Sequence, residues 1–148
     1  VGSGTTLSPE GNGFFVGVVT ATSFVGDVTG DVTGDVTGNL NLSNGAVSSA
    51  TATTTTTSQT AVDTFAAATY RSVKYQIQIT RGSEYHITEV FIVHDGTTSY
   101  GTEYATIKTG SSLASFDTDI DSGNVRLLAT PTSSSSTVFK LVRTLIKV

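Results

Sequence analysis

Apolar and polar residues alternate along most of this chain, and the alternation has two textures. Between Gly26 and Gly38 the tetrad Gly-Asp-Val-Thr repeats three times without a fault, then relaxes into Gly38-Asn39-Leu40-Asn41-Leu42. A period of four is two strand periods, so an extended backbone from Phe24 to Leu42 sets Gly and Val or Leu on one face. Asp, Thr and Asn fall on the other. Ordering such a stretch costs more backbone entropy than burying three valines returns, so one chain cannot hold it alone. Three chains wound about an axis can, with Val28, Val32, Val36 and Leu40 filling the axis and glycine letting the backbones approach. The competing reading is a disordered Gly/Thr linker, which needs neither fixed valine spacing nor uninterrupted alternation.

Upstream, Gly11-Asn12-Gly13 signals a turn before a strand at about Phe14–Thr22. Downstream, Ser43-Asn44-Gly45 marks another turn. Residues 46–62 are dominated by threonine, with strand propensity but almost no apolar residues large enough to bury. They read as an extended or partly disordered tether, with intertwined strands as the second reading.

From Asp63 the texture becomes short strands between turn dipeptides. Tyr70–Thr80 alternates through Tyr75, Ile77 and Ile79, and Arg81-Gly82 turns it back into Glu84–His94. Asp95-Gly96, a strong hairpin signal, leads to Ser99–Lys108. Leu113–Ile120, Val125–Thr130 and Thr137–Val148 follow. Six or seven strands without a helical period predict a small antiparallel β-sandwich of jelly-roll type. The expected class is therefore all-β: an intertwined trimeric shaft in residues 1–45, a tether in 46–62 and a sandwich domain in 63–148.

Composition agrees. Of 148 residues, Thr and Ser together supply 46 and Gly 15, while Cys, Met and Trp are absent. Without cysteine there is no disulfide scaffold, thiolate metal site or cysteine nucleophile. The longest apolar run, Phe14–Val19, is far short of the roughly 20 residues that span a bilayer as a helix. Val1 stands where an initiating Met would, as in a processed product or a piece of a longer polypeptide.

Charge divides the chain near Val62. Residues 1–62 hold four acids (Glu10, Asp27, Asp31, Asp35) and no Lys or Arg, whereas residues 63–148 balance eight acids with eight bases. With no basic patch, nucleic acid and anionic membranes are not expected partners. The Asp ladder of the repeat reads as a solvated outer face, or as rings that hold cations.

Candidate chemistry is sparse. Asp117, Asp119 and Asp121 before Gly123 resemble the start of a calcium loop, but the glycine is one residue late and Leu128 stands where the bidentate carboxylate belongs. A polar strand end running into a turn explains them as well, so no metal or other cofactor is expected. His86 and His94, eight apart in one strand, lie about 26 Å from each other at 3.3 Å per residue. They read as satisfied or exposed side chains, with three-fold rings in a trimer as the alternative. No nucleophile elbow surrounds a serine and no carboxylate pair can be named, so an enzyme is not expected. Among the tyrosines, Tyr100, beside the Asp95-Gly96 turn, is the candidate exposed ring for contact with a host glycan.

The stretch Val18-Val19-Thr20-Ala21-Thr22-Ser23-Phe24-Val25-Gly26, with the tandem tetrads after it, is similar to repeats of virion structural and tail-fibre proteins of tailed phages, particularly marine cyanophages. Tyr70–Tyr75, Tyr85–Val90, His94–Thr98 and Val125–Pro131 resemble a C-terminal domain of such proteins. The resemblance implies a homotrimeric, non-enzymatic virion component and brings no catalytic residues with it. Its partners would be copies of itself, other virion proteins and a host-surface glycan. Tail fibre, neck fibre, receptor-binding module and capsid decoration all remain open as its place.

Overall fold

The computed structural model describes residues 5–7, 13–15, 20, 33 and 37–148. The chain divides into two units, residues 1–35 and 36–148. In the first, β1 (Thr5–Leu7) pairs antiparallel with β2 (Gly13–Phe15), Thr5 opposite Phe15. Val28, Val32 and Val36, assigned above to a trimer axis, lie outside the described residues, as does most of the expected shaft.

The second unit is all-β and antiparallel, the class the alternation predicts. Its strands are β3 (Leu40–Leu42), β4 (Gly45–Thr54), β5 (Thr60–Ala66), β6 (Tyr70–Arg81), β7 (Glu84–His94), β8 (Ser99–Lys108), β9 (Ala114–Asp121), β10 (Asn124–Pro131) and β11 (Thr137–Lys147). Six of them form one sheet in the order β3-β4-β11-β6-β7-β8, and three form a smaller sheet, β5-β10-β9. The sheets pack face to face. The core joins Val73, Tyr75, Ile77, Ile79, Val90, Ile92, Phe139 and Leu141 of the large sheet to Val62, Phe65, Val125 and Leu127 of the small one. Phe116 of the small sheet meets Phe139 edge-on, with ring centroids 6.3 Å apart.

Two expectations need correction. The Thr-rich stretch is not a tether through residues 45–54: that span is β4, paired with β11 from Gly45 opposite Ile146 to Thr54 opposite Thr137. Its small inward residues, Ala46 and Ser48, fit beneath the small sheet, and the apolar bulk comes from its neighbour β11 rather than from itself. A Cβ at Gly45 would overlap the carbonyl oxygen of Leu145, so this turn brings β4 against β11 only with glycine. The sandwich accordingly begins at β3, not at Asp63, and Leu40 is paired with Val47 of its own chain.

Candidate functional site

Alternation gives the large sheet two faces, and among the described residues only one is covered. On the open face, one cross-strand row reads Leu40, Val47, Thr144, Lys74, Phe91, Thr102 from edge to edge. Its neighbours run parallel to it, so the face divides into three bands. Leu40 and Leu42 of β3, with Val142 and Ile146 of β11, form an aliphatic flank. Tyr85, Ile87, Phe91 and Val93 of β7, with Tyr100 and Ile107 of β8, form an aromatic-rich flank. Between them β6 presents Ser72, Lys74, Gln76 and Gln78.

The aromatic flank is ordered by its own contacts. Phe91 stacks on Tyr104, with centroids 5.4 Å apart and planes 12° from parallel. The Lys74 ammonium sits 5.7 Å from the Phe91 centroid and 3.0 Å from Glu89. Its pKa is raised, chiefly by the hydrogen bond to Glu89, so the pair stays ionised. Beside Phe91 a shallow hollow of about 310 Å³ is lined by Ser72, Val93, Tyr100 and Thr102.

Tyr100, the candidate glycan contact, is 57 % exposed. Its hydroxyl donates to Asp95 at 3.3 Å, which leaves the ring face rather than the hydroxyl free. Asp95 itself accepts from the backbone N–H groups of Thr98 and Thr97 and from the Thr97 hydroxyl, which together hold its carboxyl far below the usual range.

Asp117, Asp119 and Asp121 share one face of β9, as their spacing predicts, but Arg126 of β10 stands between two of them. Its guanidinium donates to both Asp119 oxygens and, at 2.9 Å, to Asp121. That hydrogen-bonded pairing holds Asp119 below its ordinary value. Asp117 instead accepts from the Thr118 N–H at 2.8 Å. Among the described residues no group of three His, Asp or Glu side chains converges as a metal would require.

His86 and His94 both face the core and are buried. His94 Nε2 lies 2.7 Å from the Tyr70 carbonyl oxygen. His86 Nδ1 accepts from the Leu113 N–H at 3.4 Å, while its Nε2 has no hydrogen-bond partner and lies 3.7 Å from Glu103.

One polar cluster escapes sequence reasoning. Asp63 of β5 accepts from Tyr75 of β6 at 2.8 Å and from Arg143 of β11, which also donates to Ser48 at 2.8 Å and to the Thr64 carbonyl. Burial, then Asp63, pushes the Tyr75 phenol far above its ordinary value, so it remains a donor. The cluster clamps the two sheets together across 80 residues of sequence. The open face does leave a sequence signal: Val90-Phe91-Ile92-Val93 and Leu145-Ile146 are apolar on both faces of their strands, the pattern of strands covered twice.

No protein-family model and no curated protein matches the chain. Among solved structures it is similar to the tailspike protein of Acinetobacter baumannii phage AM24, at 8 % identity over 69 % of this chain, TM-score 0.40. It is also similar to the tailspike protein of Acinetobacter phage vB_ApiP_P1, at 14 % identity over 86 % of this chain, TM-score 0.40. The chain spans 26 % of the length of each.

Proposed function

We propose that this chain is a structural, non-enzymatic component of a phage virion: a homotrimeric tail or neck fibre whose repeat forms a shaft and whose sandwich is a terminal domain. The observation that carries this reading is a pairing of two incomplete surfaces. A faultless Gly-Asp-Val-Thr repeat, more than one chain can stabilise alone, precedes in sequence a sheet whose open face exposes two apolar flanks. The repeat's likeness to virion fibre proteins supplies the setting.

A mechanical role also fits five of the carboxylates among the described residues, which are paired with basic side chains. Asp63 is held by Arg143, Glu84 by Arg81, Glu89 by Lys74, and Asp119 with Asp121 by Arg126. In a trimer the terminal domain would present three copies of any weak surface, and avidity would raise its affinity for a host.

Light scattering on the full chain at micromolar concentration tests the assembly. A mass three times the 15.3 kDa of one chain is expected, and a stable monomer overturns the reading. Antibody-gold labelling of intact particles tests the location: label on tail or neck fibres is expected, whereas label over the capsid shell makes it a decorating protein. The exposed ring of Tyr100 favours a second reading, a glycan-binding module. Tyr100→Ala should then abolish binding of the full chain to host polysaccharide, and a wild-type chain that binds none removes this reading.

A further inference from the structure

We infer that β4 is a docking edge for a second copy of this chain: the free side of β4 pairs antiparallel with the free side of β4 in another molecule, and two six-stranded sheets become one. This goes beyond the trimeric reading above and does not depend on it. β4 pairs with β11 along its whole length, but β3 covers its other side only from Gly45 to Val47, so among the described residues Ser48–Thr54 has no strand beside it. The phase of the ladder is fixed at its turn end, where the Lys147 N–H donates to the Asn44 carbonyl at 2.9 Å. Even-numbered residues of β4 therefore bond to β11, while Thr51 and Thr53 aim their N–H and C=O groups outward, away from it.

An exposed strand edge is a template for another strand, and the sandwich blunts its other edges. β8 carries a bulge opposite Thr88, with Ala105 at φ of +53°, and bears Glu103 and Lys108. β9 bears Asp117, Asp119 and Asp121. β5 shifts register between Ala61 and Asp63 and bears the Asp63 carboxylate. β4 has none of these devices: it pairs with β11 without a break in register, and no charged residue or proline occurs from Val36 to Val62. The same comparison selects the partner. A second copy offers the charged or bulged edges of β5, β8 and β9, or the neutral, regular edge of β4, and only the last can pair without a mismatch. Ser48–Thr54 holds nothing larger than threonine, so two such edges meet without obstruction about a two-fold axis near Thr51 and Thr53. Seven residues give roughly 23 Å of strand at about 3.3 Å per residue, which buries far less than the about 800 Å² per partner of an independent dimer. The contact is therefore weak between free molecules and forms at high concentration.

Sedimentation of the full chain from micromolar to near-millimolar concentration tests the contact. The species present at micromolar concentration should associate further, a monomer to a dimer or a trimer to at least six chains, and a mass independent of concentration overturns the inference. Thr51→Pro deletes an outward N–H and leaves the β11 ladder intact, a position where an edge strand tolerates proline; it should weaken the association at least about ten-fold with the circular dichroism unchanged. Thr53→Lys sets like charges against each other across the two-fold axis and should weaken it similarly, which keeps the test decisive if the proline variant misfolds. Association unchanged in the folded variants overturns the inference. The chain has no cysteine, so directed cross-linking is clean. Thr51→Cys should link to its own copy through a short bis-maleimide at high concentration, and Thr102→Cys on β8 should not. Equal linking through Thr102→Cys, or linking of Thr51→Cys already complete at micromolar concentration, would place the contact elsewhere and overturn the inference. A micromolar species of one chain ends the trimeric reading and leaves this inference standing.

Discussion

The two faces of the six-stranded sheet are built by the same strands from similar residues, yet one is sealed and the other is open. On the inner face Tyr75, Ile77, Ile79 and Phe139 have no accessible surface; on the outer face Phe91 is 47 % exposed and Ile107 72 %. The small sheet makes the difference. Three strands suffice to cover the inward residues of six and to form one core, but they leave the outward residues without a partner among the described residues. Apolar content therefore does not separate core from interface in this protein. The separation comes from which face of the sheet the chain's own second sheet covers.

Truncating a matched phenylalanine on each face breaks this comparison most sharply. Phe139→Ala removes a side chain packed against Phe116 in the sealed core and should cost about 3–5 kcal/mol. Phe91→Ala should cost under about 1 kcal/mol in dilute monomer, where the ring already meets water on one side. Urea unfolding at two protein concentrations checks both. The Phe139 penalty should be independent of concentration, whereas the Phe91 penalty should grow once copies associate, and equal behaviour would erase the distinction between the faces.

The clamp between the sheets comes next. Asp63→Ala leaves the Arg143 guanidinium, 18 % exposed, without its carboxylate, and leaves Tyr75 without an acceptor. Loss of a largely buried charge partner costs about 3–5 kcal/mol, and the residual exposure of Arg143 places the expected loss toward the lower end. Replacing both Asp63 and Arg143 with apolar residues should recover part of it. No recovery would show that the pair positions the sheets rather than merely satisfying its own charges.

How far the sequence carried the fold depends on where each strand's bulk comes from. β6, β7 and β8 were legible to within a residue because each carries its own alternation and the two turns that join them hold Gly82 and Gly96, with φ of +59° and +109°. β4 was not, because Ala and Ser supply its inner face and its order derives from ten residues of pairing with β11, almost a hundred positions away. The open face was half legible. Val90–Val93 showed the double-sided pattern, but that its two flanks are separate depends on the strand order, which places β11 beside β6. The Asp63–Arg143 contact was illegible for the same reason.

The smallest expected effect belongs to His86, which sits at the margin between covered and open. Burial holds its pKa below the ordinary value of 6.5, Glu103 raises it and Lys108 lowers it further. With Nδ1 accepting from Leu113, the neutral ring carries its proton on Nε2, facing Glu103 without a hydrogen bond. The unfolded chain therefore binds a proton near pH 6.5 that the folded chain refuses until lower pH. Stability due to this group is complete above 6.5 and falls as pH drops through that value toward the depressed folded one. His86→Asn should lower stability at pH 7.5 yet flatten its fall between pH 7 and 5, read as urea midpoints. Glu103→Gln removes the group that favours the charged ring and should extend the fall to lower pH. An unchanged slope in His86→Asn would show that the imidazole contributes nothing to acid sensitivity, and that the edge near β8 is wetter than its burial indicates.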